Sequence, residues 1–144
     1  APYGEPVFVD KLRQLLDVTD EGDLCLDLSY FTHWCGGMTM TWNDGEPQIG
    51  NVFTPKLETL LGAARRPQDP LDERHEAIAA SLQCVYEEAA FSILRTLHRR
   101  VRNIRLCLAG GCAYNSVANI NASTTSAGNI RIILACVAAP RLKA

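Results

Sequence analysis

One stretch decides the fold of this 144-residue chain: Leu106-Cys107-Leu108-Ala109-Gly110-Gly111-Cys112-Ala113-Tyr114-Asn115. Its apolar residues predict a buried strand, the two adjacent glycines predict a tight turn, and the asparagine predicts a helix start. Glycine takes positive φ freely and lets another group approach the backbone closely. A helix N-terminus behind the turn offers unpaired N–H groups and the positive end of a dipole. The stretch is therefore typical of a phosphate or nucleotide contact.

The residues alone leave a second interpretation open. Neither the dinucleotide fingerprint G-x-G-x-x-G nor the P-loop pattern G-x-x-x-x-G-K-[ST] occurs here. In the second interpretation, Gly110 and Gly111 only allow the helix to pack closely on the strand.

Composition indicates one globular domain, since 47% of the residues are hydrophobic and 21% are charged. We find no apolar run long enough for a membrane span and no signal peptide in Ala1–Gly4, so we expect a cytoplasmic protein without a membrane partner. The opening residues suggest a chain cut from something longer. The six cysteines include no C-x-x-C pair, and we expect them to be buried free thiols.

Charge is divided unevenly along the chain. All 16 acidic residues lie within residues 1–88, whereas residues 89–144 carry 8 Lys or Arg residues. Five arginines cluster near the end of a predicted helix: Arg95, Arg99, Arg100, Arg102 and Arg105. Because cations complement the helix dipole there, we expect a solvated helix end and no nucleic-acid partner.

Hydrophobic periodicity predicts an α/β layer structure. Helices are expected over Pro6–Leu16, Lys56–Leu61, residues 71–99 and from Cys112 to Asn119, and strands over Leu24–Leu28, Met38–Trp42, Gln48–Phe53, Arg105–Ala109 and Ile130–Val137. Turns are expected at Asn43-Asp44-Gly45 and Gly62, and a polar loop over Ser123–Asn129. The long helix should bury the stripe Ile78, Leu82, Val85, Ala89, Ile93 and Leu97.

Four other residues or pairs carry candidate chemistry, each with a structural alternative that we favour. His75 is a possible general base, and Arg65-Arg66 a possible phosphate clamp. We expect a helix-surface or interface histidine and a solvated loop instead. Structural roles are also expected for His33 and for Ser81, which lies among small residues on the helix.

Residues 106–119 closely resemble the signature of the nodulation and antibiotic-pathway O-carbamoyltransferases. Further segments match that family in order and spacing: Ala1-Pro2-Tyr3-Gly4, Phe53-Thr54-Pro55-Lys56, Leu61-Gly62 with Arg65-Arg66-Pro67, and Arg74-His75 through Ile78–Gln83 to Glu87-Glu88-Ala89. The resemblance covers residues 1–119, most of the chain, and rests on several independent motifs.

The resemblance implies an incomplete actin-like ATPase domain, of the ribonuclease H-like, sugar-kinase type. Residues 1–119 would be part of the nucleotide-binding domain, and residues 120–144 its diverged or truncated end. The implied reaction moves a carbamoyl group from carbamoyl phosphate, through an ATP-derived carbamoyl-adenylate, to the hydroxyl of a small molecule. Gly110, Gly111, Asn115 and Asn119 would bind the nucleotide, while no catalytic residue is assigned.

The chain also departs from the family. Members bind a divalent metal, iron or magnesium, through a His-x-x-x-His motif that would lie upstream and an acidic residue that would lie downstream. No Asp or Glu follows Glu88, and Ile120 stands where the family has Gly. We therefore expect the isolated chain to be inactive without the missing C-terminal domain of a parent protein. Two alternatives stay open: a non-catalytic remnant or interaction domain, and a threonylcarbamoyl-adenosine-type or hydrogenase-maturation relative.

Overall fold

The computed structural model describes residues 4–103, 105–119 and 131–134. One compact unit, the N-terminal unit, takes in the residues up to Thr19 and Asp23–Ala89; the C-terminal unit takes in Asp20–Gly22 and the residues from Ala90 onward. The predicted boundary between residues 119 and 120 stays a prediction.

Helices and strands are mixed, as the sequence predicts. The helices are α1 (Val9–Leu12), α2 (His33–Gly36), α3 (Pro55–Leu61) and α4 (Glu73–Val101), and short 3-10 turns cover Leu28–Tyr30 and Gly111–Tyr114. The strands are β1 (Leu16–Val18), β2 (Leu24–Leu26), β3 (Met40–Asn43), β4 (Glu46–Ile49), β5 (Arg105–Leu108) and β6 (Arg131–Leu134).

Helix α4 confirms the prediction of one long helix over residues 71–99. Its start is fixed by Asp72, whose carboxylate accepts a hydrogen bond from the His75 backbone N–H at 3.0 Å, as an N-cap residue does. Its last turn carries His98, Arg99 and Arg100, and the next residue after Val101 has a positive φ that ends the helix.

The buried face of α4 differs from the predicted stripe. Leu82 and Leu97 are 53% and 42% exposed, which contradicts the expectation that they are buried. Small residues form most of the buried face: Ala77, Ala80, Ser81, Val85, Ala89 and Thr96. Periodicity predicted the helix correctly but misplaced the centre of its buried face. The segment that packs on the helix brings its backbone close to it, so the residues beneath that segment are small.

Residues 5–16 are that segment, and they supply the core of the N-terminal unit. Leu12 and Leu15 pack with Tyr30 and Val85, with Phe8 and other partly buried residues around them. The Phe8 N–H donates to the Ser81 hydroxyl at 2.9 Å, which in turn donates to a carbonyl of the preceding helical turn at 2.7 Å.

Helix α1 is much shorter than the predicted Pro6–Leu16. Leu16 already belongs to β1, where it pairs with Leu26 of β2 in an antiparallel register. The chain therefore leaves the helix to form this two-stranded sheet. Strand β2 confirms a strand at Leu24–Leu26, but its residues are all exposed, so the expected half-burial was wrong.

The β3–β4 hairpin confirms the turn at Asn43-Asp44-Gly45. Asp44 and Gly45 both have positive φ, 49° and 83°, as a two-residue type I′ turn requires. The turn fixes the register Asn43↔Glu46, so β4 begins two residues before the predicted Gln48. Helix α3 likewise ends at Gly62, as predicted, with a φ of 98°.

In the C-terminal unit, β5 and β6 pair in parallel, with Arg105 opposite Arg131. Strand β5 confirms the strand predicted over Arg105–Ala109, but it alternates between exposed and half-buried residues, so the expected burial was wrong. Strand β6 falls within the predicted Ile130–Val137, of which residues 130 and 135–137 lie outside the described residues. The predicted loop over Ser123–Asn129 also lies outside them.

Four cysteines of the described residues are free, as expected, but their burial was mispredicted. Cys25, Cys35 and Cys107 are exposed and Cys84 is half-buried. Cys25 and Cys107 lie in two-stranded sheets that leave their side chains uncovered.

By length and composition alone, α4 is the one helix of the described residues that could cross a membrane. Soluble core helices meet the same criterion. On α4 the hydrogen-bonded Ser81 and the core residue Val85 are buried, and 22% of its apolar 18-residue window is buried in all.

We predict that Ser81→Ala destabilises the protein by about 1–2 kcal/mol, because it leaves the Phe8 N–H without its acceptor inside the core. Chemical denaturation of the wild type and the variant measures this difference. Ser92→Ala, on the same helix, is the control and should change the free energy of unfolding by less than about 0.5 kcal/mol. Equal effects of both variants would contradict the assigned role.

Candidate functional site

The glycine turn follows β5 directly, as the sequence predicts. Gly110 has a φ of 94°, a backbone conformation that residues other than glycine rarely adopt. Its carbonyl accepts a hydrogen bond from the Ala113 N–H at 3.0 Å, which starts the 3-10 turn Gly111–Tyr114. Ala113, within this turn, is buried.

A break at Asn115 separates this 3-10 turn from the helical residues 116–119, so the helix predicted from Cys112 onward begins later. The Asn115 side-chain oxygen accepts from the Ala118 N–H at 3.1 Å, which makes Asn115 the helix cap. Asn119 donates from its side-chain amide to the Ala113 carbonyl at 2.7 Å. Both asparagines therefore shape the segment behind the glycines, and their predicted contact with a nucleotide stays a prediction.

The glycines differ in the space around them. Within the described part of the chain, and apart from the adjacent residues, no atom lies within 4 Å of where a Cβ would stand on Gly110 or Gly111. At Gly4 a Cβ would overlap the Glu76 backbone, and at Gly62 it would overlap the Arg74 guanidinium. Gly4 and Gly62 are thus packing glycines, whereas Gly110 and Gly111 have open space at this position among the described residues, as Gly37 also has.

A second polar cluster lies in the N-terminal unit, between the end of α3 and the start of α4. Arg74 donates to the carbonyls of Leu61 and Ala63, both at 3.0 Å, and thereby caps the C-terminal end of α3. Arg65 donates to the carbonyl of Asp69 at 2.5 Å. The Arg66 backbone N–H donates to the Asp69 carboxylate at 2.9 Å, so this loop is ordered by its own hydrogen bonds.

His75 is tied into the same cluster. Its Nε2 lies 3.2 Å from Arg74 Nη2. Its Nδ1 lies 2.5 Å from an oxygen of the Asp72 carboxylate and 3.2 Å from the Asp72 backbone N–H, which donates to it. The pKa of Asp72 is lowered, chiefly by the hydrogen bond from the His75 backbone N–H and also by the nearby charges of His75 and Arg74. His75 is therefore held between Asp72 and Arg74 at the start of α4, as a structural residue would be.

The other two candidates, His33 and Ser81, make contacts that are typical of structural residues. His33 is exposed and its ring contacts the Phe31 ring edge-to-face at 5.8 Å. Ser81 is buried and hydrogen-bonded within the core. Among the described residues, no three His, Cys, Asp or Glu side chains come together as a metal site requires.

Sequence reasoning singled out Arg65 and His75 but missed that Asp72 and Arg74 hold His75 between them. An aspartate three residues before a histidine at a helix start was the available signal for the Asp72 contact. The contact of Arg74 with the end of α3 had no local signal, since its partners lie 11 and 13 residues earlier.

The open glycine turn after a parallel strand defines an α/β protein with a candidate ligand contact at the strand end. A family model described as "Carbamoyltransferase N-terminus" matches residues 3–132. The chain therefore belongs to the carbamoyltransferase N-terminal family.

Two curated relatives are similar to this chain. An uncharacterized protein, sll1178, of Synechocystis sp. is 40% identical over 121 residues, and the nodulation protein NolO of Bradyrhizobium diazoefficiens is 40% identical over 123 residues. Each alignment covers 83% of this chain and 18% of the relative. The chain thus spans about a fifth of the length of these relatives. No solved structure matches it.

We predict that Asp72→Asn lowers stability at pH 6, and that its difference from the wild type shrinks as the pH falls below 3.8. The folded-state pKa of Asp72 lies below the ordinary value of 3.8, so its carboxylate stabilises the fold above that pH and loses this effect on protonation. Urea denaturation at pH 6 and pH 3 measures the difference. Asp17→Asn, an exposed aspartate of β1, is the control. A difference that persists unchanged at pH 3 would contradict the role of the charge.

Proposed function

We propose that this chain is the part of an O-carbamoyltransferase that contributes to nucleotide binding. The whole enzyme would move a carbamoyl group from carbamoyl phosphate to the hydroxyl of a small-molecule acceptor. The family match over residues 3–132 carries this proposal. Since the chain spans 18% of the relatives' length, we assign the complete reaction to the whole enzyme.

The proposed fold is an actin-like ATPase domain of the ribonuclease H-like type. The parallel pairing of β5 with β6, with helical residues 116–119 between them in sequence, supports an α/β layer arrangement. In open α/β sheets, ligands bind beyond the carboxyl ends of the strands. Gly110 and Gly111 follow the carboxyl end of β5, which is where the proposal puts the nucleotide.

The residues at the turn fit a phosphate-bearing ligand. Gly110 and Gly111 are exposed and a Cβ on either would meet no non-adjacent atom of the described residues, so a phosphate group has room to approach their backbone. Asn115 and Asn119 would keep this backbone in place through the hydrogen bonds described above. ATP would supply the activation of the carbamoyl group, as a carbamoyl-adenylate, for transfer to the acceptor oxygen.

The described residues do not fit the divalent metal that the family resemblance implies. They bring together no set of three His, Cys, Asp or Glu side chains. We therefore propose that any metal ligands belong to other parts of the whole enzyme, and we assign no residue of this chain to metal binding.

We also propose a cytoplasmic protein without a nucleic-acid or membrane partner. Two of the clustered arginines support the absence of a nucleic-acid partner, because they are used inside the C-terminal unit. Arg99 donates to the Asp20 carbonyl at 3.3 Å and Arg100 to the Glu21 carbonyl at 2.8 Å. Arginines that hold a neighbouring loop in this way have a structural role at the end of α4.

We predict that Gly110→Ala weakens ATP binding at least about fivefold, because a Cβ at a φ of 94° strains the turn and fills the open space beside its backbone. Isothermal titration calorimetry with ATP measures the affinity. Gly37→Ala is a matched control, since Gly37 also has positive φ and open surroundings but lies in the N-terminal unit.

Equal ATP affinities for the wild type and Gly110→Ala would contradict the assignment of the turn. A wild-type chain that releases no heat with millimolar ATP would contradict nucleotide binding by this chain.

A further inference from the structure

A cleft of about 160 Å³ opens in the N-terminal unit beside the end of α3. Its walls are mostly apolar and include Phe53, Leu57, Leu61 and Ile78. An engineered apolar cavity of about 150 Å³ in another protein holds a benzene molecule. The cleft therefore has room for a group about the size of a six-membered ring.

The lining also includes the guanidinium groups of two arginines, Arg65 and Arg74. Arg65 uses Nη1 to hold the carbonyls of Asp69 and Pro67 at 2.5 and 3.4 Å. These bonds fix one edge of the guanidinium, and its Nε and Nη2 have no acceptor among the described residues. A fixed, exposed guanidinium edge is suited to a carboxylate or phosphate, which it can bind through two hydrogen bonds.

Negative charge in the lining is limited. Glu58 is the one carboxylate among the described lining residues, and its Oε1 accepts from the Ala64 N–H at 2.8 Å. Two guanidinium groups, those of Arg65 and Arg74, line the cleft together with this single acid. The cleft is therefore electrostatically favourable for an anion.

Segments far apart in sequence meet at the cleft. Phe53 begins the Phe53–Lys56 motif, Arg65 belongs to the Arg65–Pro67 motif, and Arg74-His75 begins a third. The proposed nucleotide contact at Gly110 uses none of these motifs. All three motifs therefore contribute residues to the lining of one cavity.

We propose that this cleft binds a small molecule that joins a ring-sized apolar body to one carboxylate or phosphate group. The ring would lie against Phe53, Leu57 and Ile78. The anionic group would accept hydrogen bonds from the remaining guanidinium edge of Arg65. This site is separate in sequence and in structural unit from the glycine turn, so it does not depend on the proposed carbamoyl transfer.

The test uses the full chain and four probes: benzoate, phenyl phosphate, benzamide and inorganic phosphate. Backbone amide NMR shifts of Gly62, Ala63 and Ala64 report binding at the cleft. We expect saturable shifts with benzoate or phenyl phosphate, and the stronger of the two identifies the preferred anionic group. Benzamide lacks the charge and inorganic phosphate lacks the ring, so each should bind about tenfold more weakly.

Three variants assign the site to its residues. Arg65→Gln should weaken benzoate or phenyl phosphate binding about tenfold, whereas Arg66→Gln, a neighbouring arginine outside the lining, should not. Ala64→Phe should block the cleft, and because Ala64 is exposed the fold should tolerate it.

Equal affinity for benzamide and benzoate would overturn the anionic part of the proposal. Equal effects of Arg65→Gln and Arg66→Gln would overturn the role of Arg65. Shifts with none of the four probes, or binding that survives Ala64→Phe unchanged, would overturn the site itself.

Discussion

Close approach between the N-terminal segment and α4 is the constraint on which the N-terminal unit depends. A Cβ on Gly4 would overlap the backbone at Glu76, and the Phe8 N–H reaches the buried Ser81 hydroxyl. Larger side chains at these positions would push the segment away from the helix. Leu12 and Leu15 could then no longer reach Val85 to form the core, and the chain from β1 to α3 is built around that core.

Features set by neighbouring residues could be predicted from the sequence. The helix α4, the Asp44-Gly45 turn and the end of α3 at Gly62 all follow from local conformational preferences, and all are confirmed. Burial could not be predicted in the same way. Leu82 is exposed and Ser81 is buried because the packing partner, not the helix itself, decides which face is covered.

The two candidate sites also differ in whether neighbouring residues or packing between distant segments sets their structure. The strand, the glycine turn and the Asn115 cap are consecutive in sequence, so their conformation could be predicted. The cleft beside α3 could not, because Arg65, Arg74 and Phe53 meet only through the packing of α3 near α4. The space around each glycine could not be predicted from the sequence either. The backbone at Gly62 is covered by Arg74, while the backbone at Gly110 is open among the described residues.

The central proposal is that a nucleotide binds at the Gly110–Gly111 turn. Photoaffinity labelling with 8-azido-ATP, followed by tryptic digestion and mass spectrometry, tests it most directly. The account predicts that the label falls on the peptide beginning at Leu106, after Arg105, and that excess ATP prevents the labelling. Labelling confined to peptides of the N-terminal unit, or labelling that ATP does not prevent, would contradict it.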